Sequence, residues 1–408
     1  MDRIAPTAIR SRSRNGLVDK KEENAMNVFK PLSWIAAPVI SVALFASGAS
    51  ADPIDDWLSH KNPATEPKIT YTGAPIELKY SFPQPPASIV PPVWRQAFDW
   101  LAEATNNKLS FKLFGAGTLV GIRDGFKGVG AGVSDYGTCF AVFEGRGFEL
   151  TKVFSLPFVA TGSALVNTRI YLELAEKYFA PEFERQGVYY GYSVHLGSND
   201  IMSKKPIRSF DDLRGMKIIA QGMAPEIAKA YGFVPLNIPF PDIYTAAQQG
   251  IADAVIWTDG GFVPYKLHEV FKYRTKLGIV SPTMDTCINR KAFDGLTPDL
   301  KSAFYNFQQY TAAAVAQRTV VDFGKKALAT YKEQGVETIT LTSAELERGK
   351  AIAKEVVDAW VATREKDGQP GRSLVADIEK LKAKYASMSD EEMLKLLLEH
   401  PVKGIIKY

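Results

Sequence analysis

Histidine and glycine are the residues of this sequence that could mark a catalytic or nucleotide-binding site, and neither is arranged for one. The four histidines, His60, His195, His268 and His400, are far apart and form no zinc-binding HExxH pattern. Glycines at 115, 117 and 121 follow a predicted strand, but a GxGxxG dinucleotide turn needs its third glycine one residue earlier. The sequence also lacks a GxxxxGK[ST] phosphate loop and a GxSxG elbow. We therefore expect no catalytic constellation and no cofactor.

Cysteine chemistry rests on two residues, Cys139 and Cys287. Two cysteines exclude a four-cysteine zinc site and a disulfide framework. Three roles stay open for them. They could supply a nucleophile beside a histidine, although no local sequence context supports this. They could be buried thiols, or they could form a disulfide, which requires Cα atoms about 5.5 Å apart. Cysteines of exported proteins are usually bonded or buried.

The charge of the chain argues against nucleic acid as a partner. The chain has 49 Lys and Arg against 45 Asp and Glu, a net charge of +4. After residue 51 these numbers are 42 and 41, so the body of the protein is about neutral. A neutral body offers no electrostatic footprint for a phosphate backbone.

Residues 26–51 have the three parts of a secretory signal peptide. Lys30 supplies the positive region, residues 34–46 form a 13-residue mostly apolar run, and Ala49-Ser50-Ala51 is a cleavage site. The run is too short to span a membrane, which requires about 20 apolar residues. We expect residues 1–25 to lie upstream of the true start, and a genuine N-terminal extension is the alternative. We also expect cleavage after Ala51 and a periplasmic mature protein without stable membrane insertion.

The elements that would position a site begin after a polar leader, residues 52–73. Apolar alternation predicts strands at 76–82, 109–114 and 134–140, with an amphipathic helix at 91–106. This alternation of strands and helices predicts a parallel sheet with helices on its faces.

A second unit of the same kind follows, and a helical segment ends the chain. Strands are predicted at 188–194, 216–221, 234–238 and 251–257, with helices at 224–231 and 243–249. Residues 298–333 contain no strong helix breaker except Gly324, so one helix could lie across both units. The fold class predicted is α/β and bilobed, with a ligand cleft between two α/β lobes.

Four segments in the same order resemble the solute-binding proteins of tripartite ATP-independent periplasmic (TRAP) transporters, the DctP-like family. One is a glycine turn followed by a helix and a strand with aspartate, and another is an aromatic segment that ends in LPF. The third has the form PI-x-x-x-x-DL-x-G-x-K-I, and the fourth has an aromatic residue, a glutamine and a glycine before an aspartate. The segments read LFGAGTLVGIRDGFKGVGAGVSDYG, FELTKVFSLPFV, KKPIRSFDDLRGMKI and PFPDIYTAAQQGIADAVIW.

The resemblance implies two lobes, hinge strands that cross between them and a long helix that spans both. It also implies closure around one small molecule, usually an organic acid, and delivery to a pair of membrane permease subunits. The lobe boundaries that we predict are 74–196 with 282–322 for lobe I, and 197–281 with 323–408 for lobe II.

Departures from the family pattern point to an unusual ligand. Most relatives place a carboxylate-clamping arginine where this chain has Ile219, and some place a second arginine where it has Asn199. Phe140 stands at an acidic position of the family. Trp257 is shared with oxoacid binders, but their metal-ligating glutamate is Ile256 here, so we expect no metal.

The resemblance places the ligand near Tyr136, Phe140, Asn199, Ile219, Phe240, Trp257 and Asp259. A buried, unpaired carboxylate would cost several kcal/mol, so a typical dicarboxylate is not expected. One alternative is a neutral or aromatic molecule stacked on Trp257 and Phe140. Another is an amine with Asp259 as its counter-ion and Trp257 as a cation–π partner. A third is an acid whose clamp has moved to Arg123, Arg146 or Lys217.

Packing and turn roles compete with these ligand roles. Trp257 could be core packing, and Asp259 could be a turn residue. Tyr136 and Phe140 are predicted to share one face of a strand, which could be the lobe core.

The function predicted is capture of a small organic molecule by hinge closure, without catalysis, for a TRAP permease. A periplasmic ligand sensor that signals to a receptor is an alternative. An exported enzyme that uses the same cleft is another.

Overall fold

The computed structural model describes residues 53–59, 67–85, 88–197, 199–220, 223, 225–239, 242–280 and 283–408. The predicted signal peptide, with its cleavage after Ala51, lies outside these residues. Among the described helices, none combines the length and the apolar composition that crossing a membrane requires.

Eleven strands are present in the described part of the chain. The first five are β1 (Ile76–Ser81), β2 (Leu109–Phe114), β3 (Tyr136–Thr138), β4 (Val188–His195) and β5 (Asn199–Ser203). The others are β6 (Lys217–Ile219), β7 (Val234–Leu236), β8 (Ala254–Trp257), β9 (Tyr273–Val280), β10 (Thr283–Asn289) and β11 (Glu337–Thr340).

Helices connect and cover these strands. Up to residue 248 they are α1 (Pro53–Leu58), α2 (Val90–Ala104), α3 (Gly125–Gly130), α4 (Ala164–Leu174), α5 (Ala180–Arg185), α6 (Pro225–Tyr231) and α7 (Ile243–Gln248). Later come α8 (Asp259–Phe262), α9 (Leu267–Val270), α10 (Arg290–Asp294), α11 (Pro298–Val315), α12 (Phe323–Glu333), α13 (Ser343–Lys366), α14 (Gly371–Tyr385) and α15 (Asp390–Glu399). Residues Ala316–Asp322 form a π-helical segment between α11 and α12.

The first sheet has the strand order β2-β1-β3-β10-β4. Strand β1 runs parallel to β2 and β3, as expected for strands joined through helices, whereas β10 is antiparallel to both β3 and β4. The aromatic side chains of α2 and α11 pack on this sheet, with Phe98 and Phe307 ring centroids 5.0 Å apart. The largest apolar core of the described chain lies here.

The second sheet has the order β11-β9-β5-β8-β6-β7. Strands β6, β7 and β8 are parallel to one another, and β5 is antiparallel to β8 and β9. Two apolar clusters cover its two faces, one around Ile201 and Ile218, the other around Met202 and Ile219. The alternation of neighbouring residues between the clusters is the two-residue period of a strand buried on both faces.

Three connections join the sheets. Strand β4 of the first sheet leads after a short connection to β5 of the second, and β9 of the second leads back to β10 of the first. The third connection is the helical stretch 298–333: α11 packs in the first core, and Ala327 and Tyr331 of α12 pack in the second. The predicted α/β class, with two sheets and crossing strands, is confirmed. The predicted helix 298–333 is present but contains the π-helical segment.

The last two helices pack on the first sheet. Leu374 and Ile378 of α14, and Met393 and Leu397 of α15, belong to the same apolar core as β1 and α2. This packing differs from the predicted assignment of all of 323–408 to lobe II. Helix α13 makes the transition: Gly349 packs against Phe210 of the second unit, and Trp360 packs against the first core.

Candidate functional site

A cavity of about 290 Å³ lies between the two sheets. Its walls come from both of them. The first sheet and its loops supply Pro83, Gln84, Phe140, Val142, Phe143 and Thr283, among others. The second supplies Asn199, Ile219, Ile243, Val255, Trp257 and Tyr265, among others. A molecule bound here would contact both halves of the fold at once.

The wall from the second sheet is formed at the carboxyl ends of its parallel strands. Ile219 is the last residue of β6 and Trp257 is the last residue of β8, and these two strands are parallel neighbours. Ligands of open α/β sheets bind at this edge because the chain leaves the sheet there and opens a crevice. The Trp257 and Tyr265 ring centroids are 5.1 Å apart and their planes are inclined by 44°, so the two rings form an angled aromatic surface.

The wall from the first sheet follows the end of β3. Phe140 lies just beyond the strand, and Val142 and Phe143 belong to the single turn Ala141–Phe143. The Ala141 amide donates to Asp285 Oδ2 over 3.0 Å, and Ser193 Oγ donates to Asp285 Oδ1 over 2.6 Å. Burial raises the pKa of Asp285 to about 6, against the hydrogen bonds that favour its charged form. Asp285 therefore ties the turn that carries Phe143 to two strands of the first sheet.

A disulfide joins Cys139 to Cys287 directly beside this wall, with Cα atoms 5.7 Å apart. It links the end of β3 to the middle of β10. Both residues are fully buried, so neither cysteine is placed to act as a nucleophile.

The polar groups of the cavity lining are amides, hydroxyls and an indole N–H rather than charges. Asn199 is 8% exposed, and its Oδ1 atom has no hydrogen-bond partner among the described residues. Gln84 Oε1 also has none there, while Gln84 Nε2 donates weakly to Met284 Sδ over 3.7 Å. The other polar side chains of the described lining are those of Thr283, Tyr265 and Trp257. No charged side chain of the described residues lines the cavity.

Asp259 is engaged elsewhere and does not line the cavity. Arg274 Nε donates to its Oδ1 atom and Arg274 Nη2 to its Oδ2 atom, each over 2.6 Å. Asp200 pairs with the same guanidinium, and burial raises the pKa of Asp200 to about 7 although Arg274 opposes this. The predicted use of Asp259 as the counter-ion of an amine does not fit, because its carboxylate already has an arginine partner.

Tyr136 also lies away from the cavity. It is 1% exposed in the first core, 4.8 Å from the Tyr80 ring centroid to centroid, and burial raises the pKa of its hydroxyl well above the usual value. The prediction that Tyr136 and Phe140 share a strand face does not fit, because β3 ends at Thr138. Phe140 therefore leaves the period of the strand and turns to the cleft.

Four of the predicted ligand residues meet in the cavity: Phe140, Asn199, Ile219 and Trp257. Phe240 lies outside the described residues. Sequence reasoning missed Gln84, Phe143 and Tyr265. Gln84 could have been found, because it follows β1 and so emerges at the same sheet edge as Phe140. Tyr265 gave no such signal, since its position depends on the short helices after β8.

Of the three proposed alternative clamps, none lines this cavity. Arg123 lines a neighbouring one. Arg146 is exposed on a loop, and Lys217 begins β6 at the far end of that strand from Ile219. In the described chain, no group of three His, Cys, Asp or Glu side chains is gathered as a metal site.

Comparison with protein families gives the class of this architecture. The profile of bacterial extracellular solute-binding protein family 7, the DctP family, matches residues 96–364. The chain belongs to this family. The resemblance to TRAP-type solute-binding proteins is thereby confirmed, and with it the transport class of the protein. The family is defined by solute binding and not by catalysis.

Two curated relatives are named after the ligands that they bind. This chain is 25% identical over 295 residues to the 2,3-diketo-L-gulonate-binding periplasmic protein of Escherichia coli, covering 69% of this chain and 85% of the relative. It is also 25% identical over 295 residues to the monocarboxylate 2-oxoacid-binding periplasmic protein of Nostoc, covering 65% and 77% respectively.

Solved structures share its fold. A TRAP periplasmic solute-binding protein of Desulfovibrio salexigens aligns with a TM-score of 0.70 at 22% identity, over 78% of this chain and 98% of that one. One from Rhodoferax ferrireducens with copurified benzoate gives 0.68 at 20% identity, over 76% and 98%. One from Bordetella bronchiseptica with bound mandelate gives 0.66 at 24% identity, over 79% and 100%.

Proposed function

We propose that this protein captures a small, mainly apolar molecule with an aromatic ring in the cavity between its sheets and delivers it to a TRAP permease. The observation that carries the proposal is the wall itself. Trp257, Phe140 and Phe143 are aromatic, Ile219 stands where the resemblance leads us to expect a clamping arginine, and no described lining side chain is charged. Apolar surface buried against such walls contributes about 25 cal/mol per Å².

The wall argues against a dicarboxylate. A dicarboxylate of ordinary size would place at least one ionised group against Ile219 and Trp257 with no cation beside it. Desolvation of an unpaired ion costs several kcal/mol, which would cancel the apolar contribution. The benzoate and mandelate in the solved relatives support an aromatic ligand with at most one charged group.

The amine alternative has less support. It depended on Asp259, whose carboxylate is held by Arg274. A bound amine would have to draw Asp259 out of this pair, and Arg274 would then be left buried without that partner.

Export and transport complete the proposal. We propose that cleavage after Ala51 releases the protein into the periplasm, that it catalyses no reaction, and that closure of the cleft presents the ligand to the permease. N-terminal sequencing of the exported protein should give Asp52 as the first residue. Detection of an uncleaved leader on the exported protein would contradict this part.

The ligand class is tested by a thermal-shift screen of residues 52–408. The panel holds succinate, fumarate, 2-oxoacids, aromatic acids, aromatic amides, alcohols and amines. A compound at a hundredfold excess over its Kd adds about 2.7 kcal/mol, enough to raise the Tm by several degrees. We expect aromatic compounds to raise the Tm and succinate to leave it unchanged.

Two variants sharpen this screen. Trp257→Leu should abolish the shift by aromatic compounds, because it removes the ring on which they stack. Trp360→Leu is the matched control, since Trp360 packs between α13 and the first core and should lower the basal Tm without changing the ligand shift. A strong shift by succinate in the wild-type protein would overturn the proposed ligand class.

A further inference from the structure

The cleft does not end at the ligand cavity. A second cavity of about 300 Å³ lies beside it and is lined by Arg123, Val142 and Phe143 of the first unit and by Ala220 and residues 235–237 of the second. Val142 and Phe143 line both cavities. The turn Ala141–Phe143 is thus a shared partition, and the second cavity is an outer compartment of the same cleft.

Arg123 is the charged residue in the described lining of this outer compartment. Its guanidinium carbon lies 5.2 Å from the centre of the Phe143 ring, a cation–π arrangement that holds the planar group against the partition. No described carboxylate lies within ion-pair distance of it. The guanidinium is therefore oriented but keeps its hydrogen-bond donors available.

We propose that Arg123 binds the single carboxylate of the ligand, whose aromatic body occupies the main cavity. The inference rests on the proposed function and narrows it to aromatic monocarboxylates. A guanidinium presents a fork of N–H donors that matches the two oxygens of a carboxylate. The Phe143 ring supplies no oxygen or nitrogen acceptor, so the cation–π contact leaves the N–H donors of Arg123 for the carboxylate.

The position of Arg123 explains how the protein can lack the usual clamp and still take an acid. The clamping arginine that the resemblance implies would stand on the second sheet, where this chain has Ile219. Here the cation is on the opposite side of the cleft, on the segment before α3. A ligand with its ring on Trp257 and its carboxylate on Arg123 connects the two halves, so both contacts are complete only when the cleft is closed.

Arg146 and Lys217 are weaker candidates for the same role. Both Arg123 and Arg146 are exposed, but Arg146 lines neither compartment. The backbone of Lys217 is fixed by its amide, which donates to Asp253 Oδ2 over 2.9 Å at the amino end of β6, away from Ile219. Arg146 instead supplies a matched control, since it carries the same charge on the same unit.

The test measures the Kd of three acids and their primary amides by calorimetry. The pairs are benzoate and benzamide, phenylacetate and phenylacetamide, and 3-hydroxybenzoate and 3-hydroxybenzamide. Each pair keeps the ring and removes the charge. In the wild-type protein we expect at least one acid to bind at least tenfold more tightly than its amide.

The arginine variants assign that difference to a residue. Arg123→Gln should weaken the acid at least tenfold and change the amide less than twofold. Arg146→Gln should change neither. Raising the NaCl concentration should weaken acid binding to the wild-type protein and leave amide binding unchanged, because the Arg123 contact lies near solvent.

The outcomes separate this inference from the proposed function. If the amides bind as tightly as the acids, or if R123Q binds the acids like the wild-type protein, the role of Arg123 is overturned and the apolar cavity stands. If none of the six compounds binds, both are overturned. Circular dichroism and the basal Tm of R123Q show whether a loss of binding comes from misfolding.

Discussion

At the scale of single residues, the cavity has two buried oxygen atoms that could accept hydrogen bonds from a ligand. Asn199 Oδ1 and Gln84 Oε1 are buried acceptors without partners among the described residues. A buried, unsatisfied acceptor costs about 1–3 kcal/mol, so a ligand donor that bonds to one of these oxygens would remove that cost. These two amides are therefore expected to select ligands with an N–H or O–H group.

Asn199→Leu tests this role. The variant keeps the branched shape and the number of heavy atoms of the side chain, and it removes the unpartnered oxygen. We expect the unfolding free energy of the variant without ligand to be equal to or above that of the wild-type protein. Its affinity for 3-hydroxybenzamide should fall about tenfold, because the variant loses one hydrogen bond between uncharged groups. Chemical denaturation and calorimetry measure the two quantities.

Asn306→Leu is the control for this substitution, because Asn306 lines a separate cavity near the C-terminus. It should leave the affinity unchanged. Unchanged 3-hydroxybenzamide affinity in N199L would show that Asn199 packs in the wall without binding the ligand.

Residue roles were predictable from the sequence where strand ends place them. Ile219 and Trp257 end parallel strands, so their arrival at one edge follows from the strand pattern. The ion pair of Asp259 was not predictable. Its partner Arg274 lies on β9, and local sequence does not show that β9 pairs with β5. The prediction for Tyr136 depended on the residue at which β3 ends, and composition marks the ends of strands only weakly.

At the scale of elements, the disulfide fixes the wall that carries Phe140. It closes a loop with a sequence separation of 148 residues and ties β3 to β10. In the chain-entropy account, a loop of this size contributes about 4–5 kcal/mol by restricting the unfolded chain. The contribution should be seen in stability more than in ligand contacts.

Replacing both cysteines by alanine measures that contribution. We expect the double variant to lose several kcal/mol of unfolding free energy and to keep most of its affinity for aromatic ligands near saturation. Denaturant unfolding of the wild-type protein with and without a reductant provides the control. Equal stability of oxidised, reduced and double-alanine proteins would contradict a structural role of the bond.

Strand β4 ends in His195, which predicts a dependence of stability on pH. His195 is fully buried, its Nδ1 atom accepts from the Gly197 amide over 3.3 Å, and Nε2 has no partner among the described residues. Burial lowers the pKa of His195 from 6.5 to about 3. The unfolded chain therefore binds a proton that the folded chain rejects between these values.

The sign follows from this difference. The stability contributed by neutral His195 is complete above pH 6.5 and is lost as the pH falls towards 3, by a few kcal/mol in total. Asp285 acts in the opposite direction, because its raised pKa of about 6 favours the folded state on acidification to about pH 4. Asp200, whose pKa burial raises to about 7, acts in the same direction as Asp285, so the slope of the wild-type protein combines at least these three groups.

The difference between the wild-type protein and the His195→Gln variant isolates the contribution of His195, because Asp285 is present in both proteins. The unfolding free energy of the wild-type protein minus that of H195Q should decrease as the pH is lowered from 6.5 to 3. Urea unfolding at a series of pH values measures it. A difference that is constant over this range would show that His195 does not titrate as its burial indicates.

Elements were more predictable than their packing. The strands and helices of both α/β units follow from apolar periodicity and from glycine and proline punctuation. The π-helical segment Ala316–Asp322 and the docking of α14 and α15 on the first core were not predictable. Amphipathic helices carry the same stripe whichever sheet they cover, so composition cannot choose between two available cores.

At the scale of the whole molecule, two sheets are joined by two strand crossings and one long helical stretch, and helix α13 leads the chain back to the first core. A ligand cavity lies between the sheets. Hinged connections of this kind allow one half to rotate against the other. The four recognisable sequence segments were sufficient to predict this architecture. They could not predict the ligand, because the residues that depart from the family pattern decide its chemistry. We propose that the lobes follow the two sheets, with α14 and α15 added to the first.

Small-angle X-ray scattering of residues 52–408 tests the central claim, capture by closure, most directly. The radius of gyration is compared without ligand and with a saturating concentration of the compound that gives the largest shift in the thermal screen. We expect the radius to decrease on binding in the wild-type protein and to stay unchanged in Trp257→Leu, which should not bind. Calorimetry confirms saturation in the same buffer. A saturated wild-type protein whose radius of gyration does not change would contradict the account.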